Sequence, residues 1–258
     1  MNTGGLKRRI AEPLLKRVTH AAETRPWALN IVERSAGRPT LHEFSLLSPL
    51  HQDGDAFLVA LLGDRWTSRR NEIREEHLVV QQEIAVRAGA TSQHYPKHFA
   101  VEDHTALVLF AIVRVLAPAL VVETGVADGR STATILAAMH RSNRGRLHSV
   151  DVRNNVGALV SNRERWTLQV LARGESIESC VAEVARTGPV DIFLHDGDHS
   201  RAGQQADISA ALTVLRTGGL LLSDDVDWSY VFHDTCKQLD KTPTLLLDTR
   251  KIFGALWR

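Results

Sequence analysis

From about residue 101 onward the hydrophobic and polar positions switch between two periods. Short apolar runs bounded by glycine, acid or serine occur at 120–123, 146–152, within 165–172, and at 190–195, 219–223, 244–247 and 252–257, and they read as strands. Between them, apolar residues recur three or four positions apart at 102–116, 131–141, 177–185, 202–215 and 229–239, the spacing of helices. Alternating strands and helices predict an α/β fold of Rossmann-like type, with a mostly parallel sheet covered on both faces. The last two strands are separated only by residues 248–251, too few for a parallel crossover. The expected sheet therefore has seven strands, the last antiparallel.

The first hundred residues follow a different pattern. Leu6, Ile10, Leu14 and Val18 recur at helical spacing among basic residues and predict a helix packing on its own protein or on a twin subunit. Residues 37–49 read as a loop. Arg69 to Arg87 reads as a helix offering Ile73, Val80 and Ile84 to a core, and Thr91 to Ala100 as a polar, aromatic connector. The division expected is a helical segment over 1–100, serving as lid and dimerisation element, and a ligand-binding domain over 101–258.

Composition narrows the function classes. A net charge of +1 gives no global field for nucleic acid or an acidic membrane surface. No apolar run reaches membrane-spanning length. Lys7, Arg8 and Arg9 precede Pro13, Lys16 and Arg17, which interrupt any signal-peptide core. The two cysteines, Cys180 and Cys236, form neither a zinc pattern nor a disulfide framework and suggest a reducing cytoplasm. The expected partner is a small molecule, with no nucleic acid and no membrane insertion, and a homodimer is expected from the extra N-terminal helices.

The chemistry begins at Val121-Val122-Glu123-Thr124-Gly125-Val126-Ala127-Asp128-Gly129-Arg130-Ser131-Thr132, a strand running through a glycine turn into a helix. Gly125 permits a backbone geometry forbidden to other residues, and Gly129 allows close approach of a ligand or of a packed helix. Open α/β sheets bind cofactors at such turns. A dinucleotide site would require a third glycine, G-x-G-x-x-G, which is missing here. Asp151, closing the next strand, is placed to accept ribose hydroxyls.

Two acidic clusters end later strands, His195-Asp196-Gly197-Asp198-His199-Ser200 and Gly218-Gly219-Leu220-Leu221-Leu222-Ser223-Asp224-Asp225. In a parallel sheet these ends share one edge with the glycine turn, so Asp196, Asp224 and Asp225 are expected to converge. Three carboxylates at close range repel unless a cation neutralises them, and oxygen ligands suit Mg²⁺ or Mn²⁺.

The turn E-x-G-x-x-x-G resembles the first motif of class I S-adenosylmethionine (SAM) methyltransferases. "VVETGVADGRST", "DIFLHDGDHS" and "GGLLLSDD" together resemble the metal-dependent O-methyltransferases of the macrocin O-methyltransferase type, over about residues 100–258. That group modifies sugars and other hydroxyls of bacterial natural products. The resemblance implies SAM binding by Glu123, Gly125, Gly129, Ser131, Thr132, Asp151 and Asp196. It places adenine contacts on Gly174, Glu175 and Ser176, metal ligands on Asp196, Asp224 and Asp225, and a base in the Asp198–His199 pair. Many relatives read I-D-G-D-H, whereas His195 precedes Asp196 here, which leaves the register open by one residue. The implied reaction is metal-assisted transfer of a methyl group from SAM to a hydroxyl, with His199 or Asp198 taking the proton. Tyr95, His98 and Phe99 are candidates for a lid, and Trp228 and Tyr230 for the acceptor pocket. The alternatives are a NAD-dependent oxidoreductase, a SAM-binding scaffold without catalysis, and a nucleic-acid methyltransferase. The last lacks an Asn-Pro-Pro-Tyr-like motif after the strand at 190–195.

Overall fold

The structure is a computed structural model and describes residues 37–258. The predicted helix between Leu6 and Val18 lies outside the described residues. One sheet organises the rest. In chain order its strands are β1 (Leu50–His51), β2 (Leu120–Thr124), β3 (Arg146–Asp151), β4 (Trp166–Val170), β5 (Val190–His195), β6 (Leu215–Ser223), β7 (Thr244–Leu247) and β8 (Ile252–Trp257). Their spatial order is β1-β7-β8-β6-β5-β2-β3-β4. Every pairing is parallel except those of β8 with β6 and β7, so the short 248–251 connection does reverse the chain.

Among the described residues the sheet has eight strands rather than seven. The additional β1 contributes only Leu50 and His51, paired with Leu245 and Leu246. A two-residue strand has no alternating pattern to reveal it, and it exists because β7 offers it an edge. The loop expected over 37–49 is also corrected. It holds a helix, α1 (Leu41–Leu47), started by a capping box in which the Thr40 hydroxyl accepts from Glu43 N–H and the Glu43 carboxylate accepts from Thr40 N–H. The Thr-x-x-Glu signature of that cap stands in the sequence.

Helices α2 (Gly54–Leu62), α3 (Asp64–Thr67) and α4 (Arg70–Ala90) precede the connector. Phe57, Leu58, Trp66, Ile73 and Val80 from them share one core with α5 (Asp103–Leu116) and the sheet. Residues 54–90 are thus part of the domain core. Helices α6 (Arg130–Ser142), α7 (Ile177–Ala185), α8 (Arg201–Val214) and α9 (Val231–Leu239) complete the two covering layers.

Asp191 fastens the end of the sheet remote from the acidic clusters. Its carboxylate accepts N–H groups of Ala119 and Leu120 at 2.7 and 3.1 Å and the Arg216 Nε–H at 2.6 Å. Burial acts to raise its pKa, but the Arg216 guanidinium and the two N–H groups outweigh it and hold the carboxyl below its ordinary value. Stabilisation from a lowered carboxylate is present above the unfolded pKa of about 3.9 and is lost as pH falls through the folded value. Asp191→Ala is expected to cost about 1–3 kcal/mol at pH 7. The difference from wild type should shrink in urea melts repeated towards pH 3, and a difference unchanged with pH would show that packing alone is responsible.

Candidate active site

The glycine turn is shaped by what presses on it. Gly125 has φ +80°, and a Cβ there would overlap the carbonyl oxygen of Asp196 and the Cα of Gly197. The Gly125 N–H donates to Val150 O at 2.9 Å, tying the turn to β3. Gly129, at φ +86°, faces the backbone of Gly157 at a distance that leaves no room for a side chain.

Glu123 is wholly buried beneath this turn. It accepts hydroxyl hydrogen bonds from Ser131 (2.7 Å), Thr132 (2.8 Å) and Ser149 (2.6 Å), and the Trp166 indole N–H donates to Ser149 Oγ at 2.9 Å. Burial pushes its pKa up, against the three hydroxyls. Its contacts are those of a brace beneath the turn. The side chains of Ser131 and Thr132 are likewise committed inward, leaving the backbone at the start of α6 as their contribution to a ligand. Asp151 Oδ2 accepts Val126 N–H at 2.8 Å and Oδ1 accepts Arg153 N–H at 2.9 Å, so it too is bonded to the turn, with lone pairs to spare.

The connector lies over the turn. Asp128 accepts N–H groups of His94 (2.9 Å) and Tyr95 (3.2 Å), and Arg130 donates to Val101 O at 2.7 Å. A narrow cleft remains between the two, walled by Tyr95, Phe99, Val126, Gly129, Ser131 and Asp196. Glu123, Asp151 and residues 174–176 do not wall this cleft. Ser176 caps α7 through Ser179 N–H, and Glu175 accepts Ala172 N–H at 2.9 Å, with the loop itself exposed. Asp128, to which the sequence pattern assigns no role, holds the connector in place.

The strand ends carry the acids to one place. Asp196 N–H donates to Thr124 O and Asp224 N–H to His195 O, both at 2.9 Å, which aligns the ends of β2, β5 and β6. Gln204 of α8 donates to Asp225 O at 3.3 Å and accepts from Ser229 Oγ–H at 2.6 Å, fixing the loop after β6. Asp196, Asp224 and Asp225 thus share a site with His199, whose Nε2 lies 3.3 Å from Asp225 Oδ2 and 3.9 Å from Asp196 Oδ1. Burial, with His195 adding to it, lowers the His199 pKa to about 4, so the ring is neutral near pH 7.

The other two polar residues of this loop are occupied elsewhere. Asp198 accepts Ser200 N–H and Oγ–H, each at 2.9 Å, and so organises the start of α8. His195 is fully buried, its Nδ1 2.7 Å from Asp207 Oδ2, which also accepts from Thr124 Oγ1–H.

The cation expected among the acids is present as a side chain. Lys251 Nζ stands 2.8 Å from Asp224 Oδ2 and 3.0 Å from Asp225 Oδ2. Burial works against its charge, but Asp224, Asp225 and Asp196 overcome that and raise its pKa. Burial and then the neighbouring carboxylate raise the pKa of Asp196 and of Asp224. With an ammonium already against two of the three acids, a divalent ion does not fit this arrangement. Among the described residues no group of three His, Cys, Asp or Glu side chains is arranged to hold one. Lys251 lies far along the chain in an apolar hairpin, and only its burial potential against the Asp-Asp pair could have flagged it. Trp228 is 45% exposed under the Arg38 guanidinium, and Tyr230 donates to Glu43 of α1, so neither ring forms a closed pocket with the acids.

Comparison with known proteins places this architecture. A family described as "Methyltransferase domain" matches residues 122–226, the stretch from the glycine turn through the Asp-Asp pair. No curated protein matches the sequence. Among solved structures, the O-methyltransferase from Bacillus cereus in complex with SAH is 15% identical, with 69% of this chain and 90% of that one covered and a TM-score of 0.54. The O-methyltransferase TomG from Streptomyces achromogenes, involved in tomaymycin synthesis and solved with SAM, is 18% identical, with 62% and 82% covered and a TM-score of 0.51. The fold is shared with these solved O-methyltransferases, and the family match falls on residues 122–226.

Proposed function

We propose that this protein is a SAM-dependent O-methyltransferase acting on a hydroxyl of a small molecule. The observation that carries the reading is the half-sheltered His199, 3.9 Å from Asp196 and 3.3 Å from Asp225 at the same sheet edge as the glycine turn. SAM supplies a methyl group already activated on a sulfonium, so the protein's own task is to orient a hydroxyl and remove its proton. Gly125, Gly129, Ser131 and Asp196 line or shape the cleft that would receive SAM, and Asp151 offers its remaining lone pairs at the neighbouring strand end. Tyr95 and Phe99 shelter that cleft from water. His199 Nε2 takes the hydroxyl proton, and Asp225 and Asp196 stabilise the imidazolium that results. No step runs through Mg²⁺ or Mn²⁺, since the Lys251 ammonium already lies against Asp224 and Asp225. A natural-product hydroxyl is the acceptor class this reading favours, in keeping with the similar fold of TomG, which is involved in tomaymycin synthesis.

The reading is tested by calorimetric titration with SAM, with NAD⁺ as control, followed by transfer of labelled methyl from SAM to a panel of hydroxyl compounds. Failure to bind SAM would remove it. Once an acceptor is found, His199→Gln is expected to lower kcat by roughly 10²–10⁴-fold with SAM affinity retained. The wild-type rate should rise with pH through about 4, where His199 loses its proton, and should show no histidine step near 6.5. Asp198→Asn should keep the rate within about threefold and cost about 1 kcal/mol through the weakened cap. The opposite ranking of the two variants would transfer the base role to Asp198.

A further inference from the structure

The hairpin between β7 and β8 is built to deliver one side chain. Asp248 N–H donates to Lys251 O, closing the turn. The Asp248 carboxylate accepts Thr105 N–H (2.8 Å) and Oγ1–H (3.0 Å) at the start of α5. Glu102, immediately before α5, accepts Arg250 N–H at 2.9 Å and Nε–H at 2.6 Å. Two buried acids, Asp248 of the turn and Glu102 of the helix start, thus fasten the turn to α5, and Lys251 is directed from it into the acidic cluster with 9% of its side chain exposed.

An ammonium has three N–H donors. Two are accounted for by Asp224 Oδ2 and Asp225 Oδ2. Among the described residues the other oxygen of Asp224 and the His199 Nδ1 are buried without partners, so the set has hydrogen-bonding capacity left for a ligand. A divalent ion such as Mg²⁺ requires about six oxygen ligands in near-octahedral array. Reaching Asp224 and Asp225 would force it against the Lys251 charge.

We propose that Lys251 is the resident cation of this site, standing where a divalent ion would stand, and that its third N–H is donated to the acceptor oxygen beside His199. The second half of this statement rests on the methyl-transfer reading; the first does not. A metal ion chelates two adjacent oxygens, whereas one N–H engages one. The acceptor class is therefore a compound presenting a single hydroxyl to the site, with no requirement for a vicinal pair.

The test is Mn²⁺ titration of the full chain, followed by electron paramagnetic resonance and calorimetry. Wild type is expected to show no site tighter than about 1 mM, the weak end of protein sites for hard cations. Lys251→Ala should gain a site at least tenfold tighter, which is lost again in Lys251→Ala combined with Asp224→Asn. Stoichiometric Mn²⁺ binding by wild type, with an affinity matching Lys251→Ala, would overturn the proposal, and so would absence of binding in both. Circular dichroism reports whether the variants fold. If Lys251→Ala does not fold, nitrogen NMR of the lysine ammonium groups in wild type decides. One protected signal, shifted in Asp225→Asn and unbroadened by Mn²⁺, is expected; broadening of that signal would refute the assignment. A SAM titration of the same samples separates the two readings, because its failure would remove methyl transfer and leave the Mn²⁺ result standing.

Discussion

Gly125→Ala is expected to cost about 3 kcal/mol of stability, combining a left-handed residue's penalty with overpacking. It should also weaken SAM binding by roughly a hundredfold, equivalent to about 3 kcal/mol. The reason is local and severe. At φ +80° the added methyl would meet the carbonyl of Asp196 and the Cα of Gly197, both backbone atoms that no rotamer change can move. Relief requires separating β2 from the loop after β5, which moves Asp196 away from the turn and breaks its 2.9 Å bond to Thr124 O. Urea melts and SAM calorimetry on the same sample measure both effects. Wild-type affinity in a folded variant would mean that the turn and the Asp196 loop do not form one ligand site.

Glu123→Ala should be the most damaging substitution for the fold, at about 3–5 kcal/mol, because it leaves buried hydroxyls without their acceptor and a cavity beneath the turn. Three hydroxyls, on Ser131, Thr132 and Ser149, would lose their acceptor together, and the chain that runs on to the Trp166 indole would lose its end. Glu123→Gln keeps the volume and one oxygen, and is expected to cost about half as much, because an amide accepts fewer of those bonds. Equal melting of both variants and wild type would contradict the bracing role. Selective loss of SAM binding with unchanged stability would instead put the carboxylate against the ligand.

Elements with a strong pattern were legible from composition of neighbours along the chain. The strands Val190–His195, Thr244–Leu247 and Ile252–Trp257 and the helix Ile177–Ala185 fall where periodicity and flanking turn residues put them. Each buries a contiguous apolar face, and a face of that kind has one stable period. The N-terminal region was read less fully. The capping box of α1 was present as Thr-x-x-Glu but follows a loop-like composition, and α2 lies in a stretch whose amphipathic pattern is weak because Phe57, Leu58, Leu61 and Leu62 are buried on more than one side.

The sequence by itself determined an α/β sheet with a reversed last strand, a glycine turn of cofactor-binding type, and three acids gathered at one edge. These follow from local rules: period, turn length, and the shared edge of parallel strand ends. Only the tertiary structure decided what each polar group does there. Glu123 turned inward because the adjoining helix and strand supplied three hydroxyls, and Asp198 became the organiser of α8 because Ser200 stood two residues away. Lys251 reached the acids from a hairpin about fifty residues beyond His199, clamped by the bond of its Asp248 to Thr105 of α5 and of its Arg250 to Glu102 just before that helix. A carboxylate's need for a counter-charge is written in its own chemistry, but which charge answers it depends on distances in space, and spacing along the chain does not encode those.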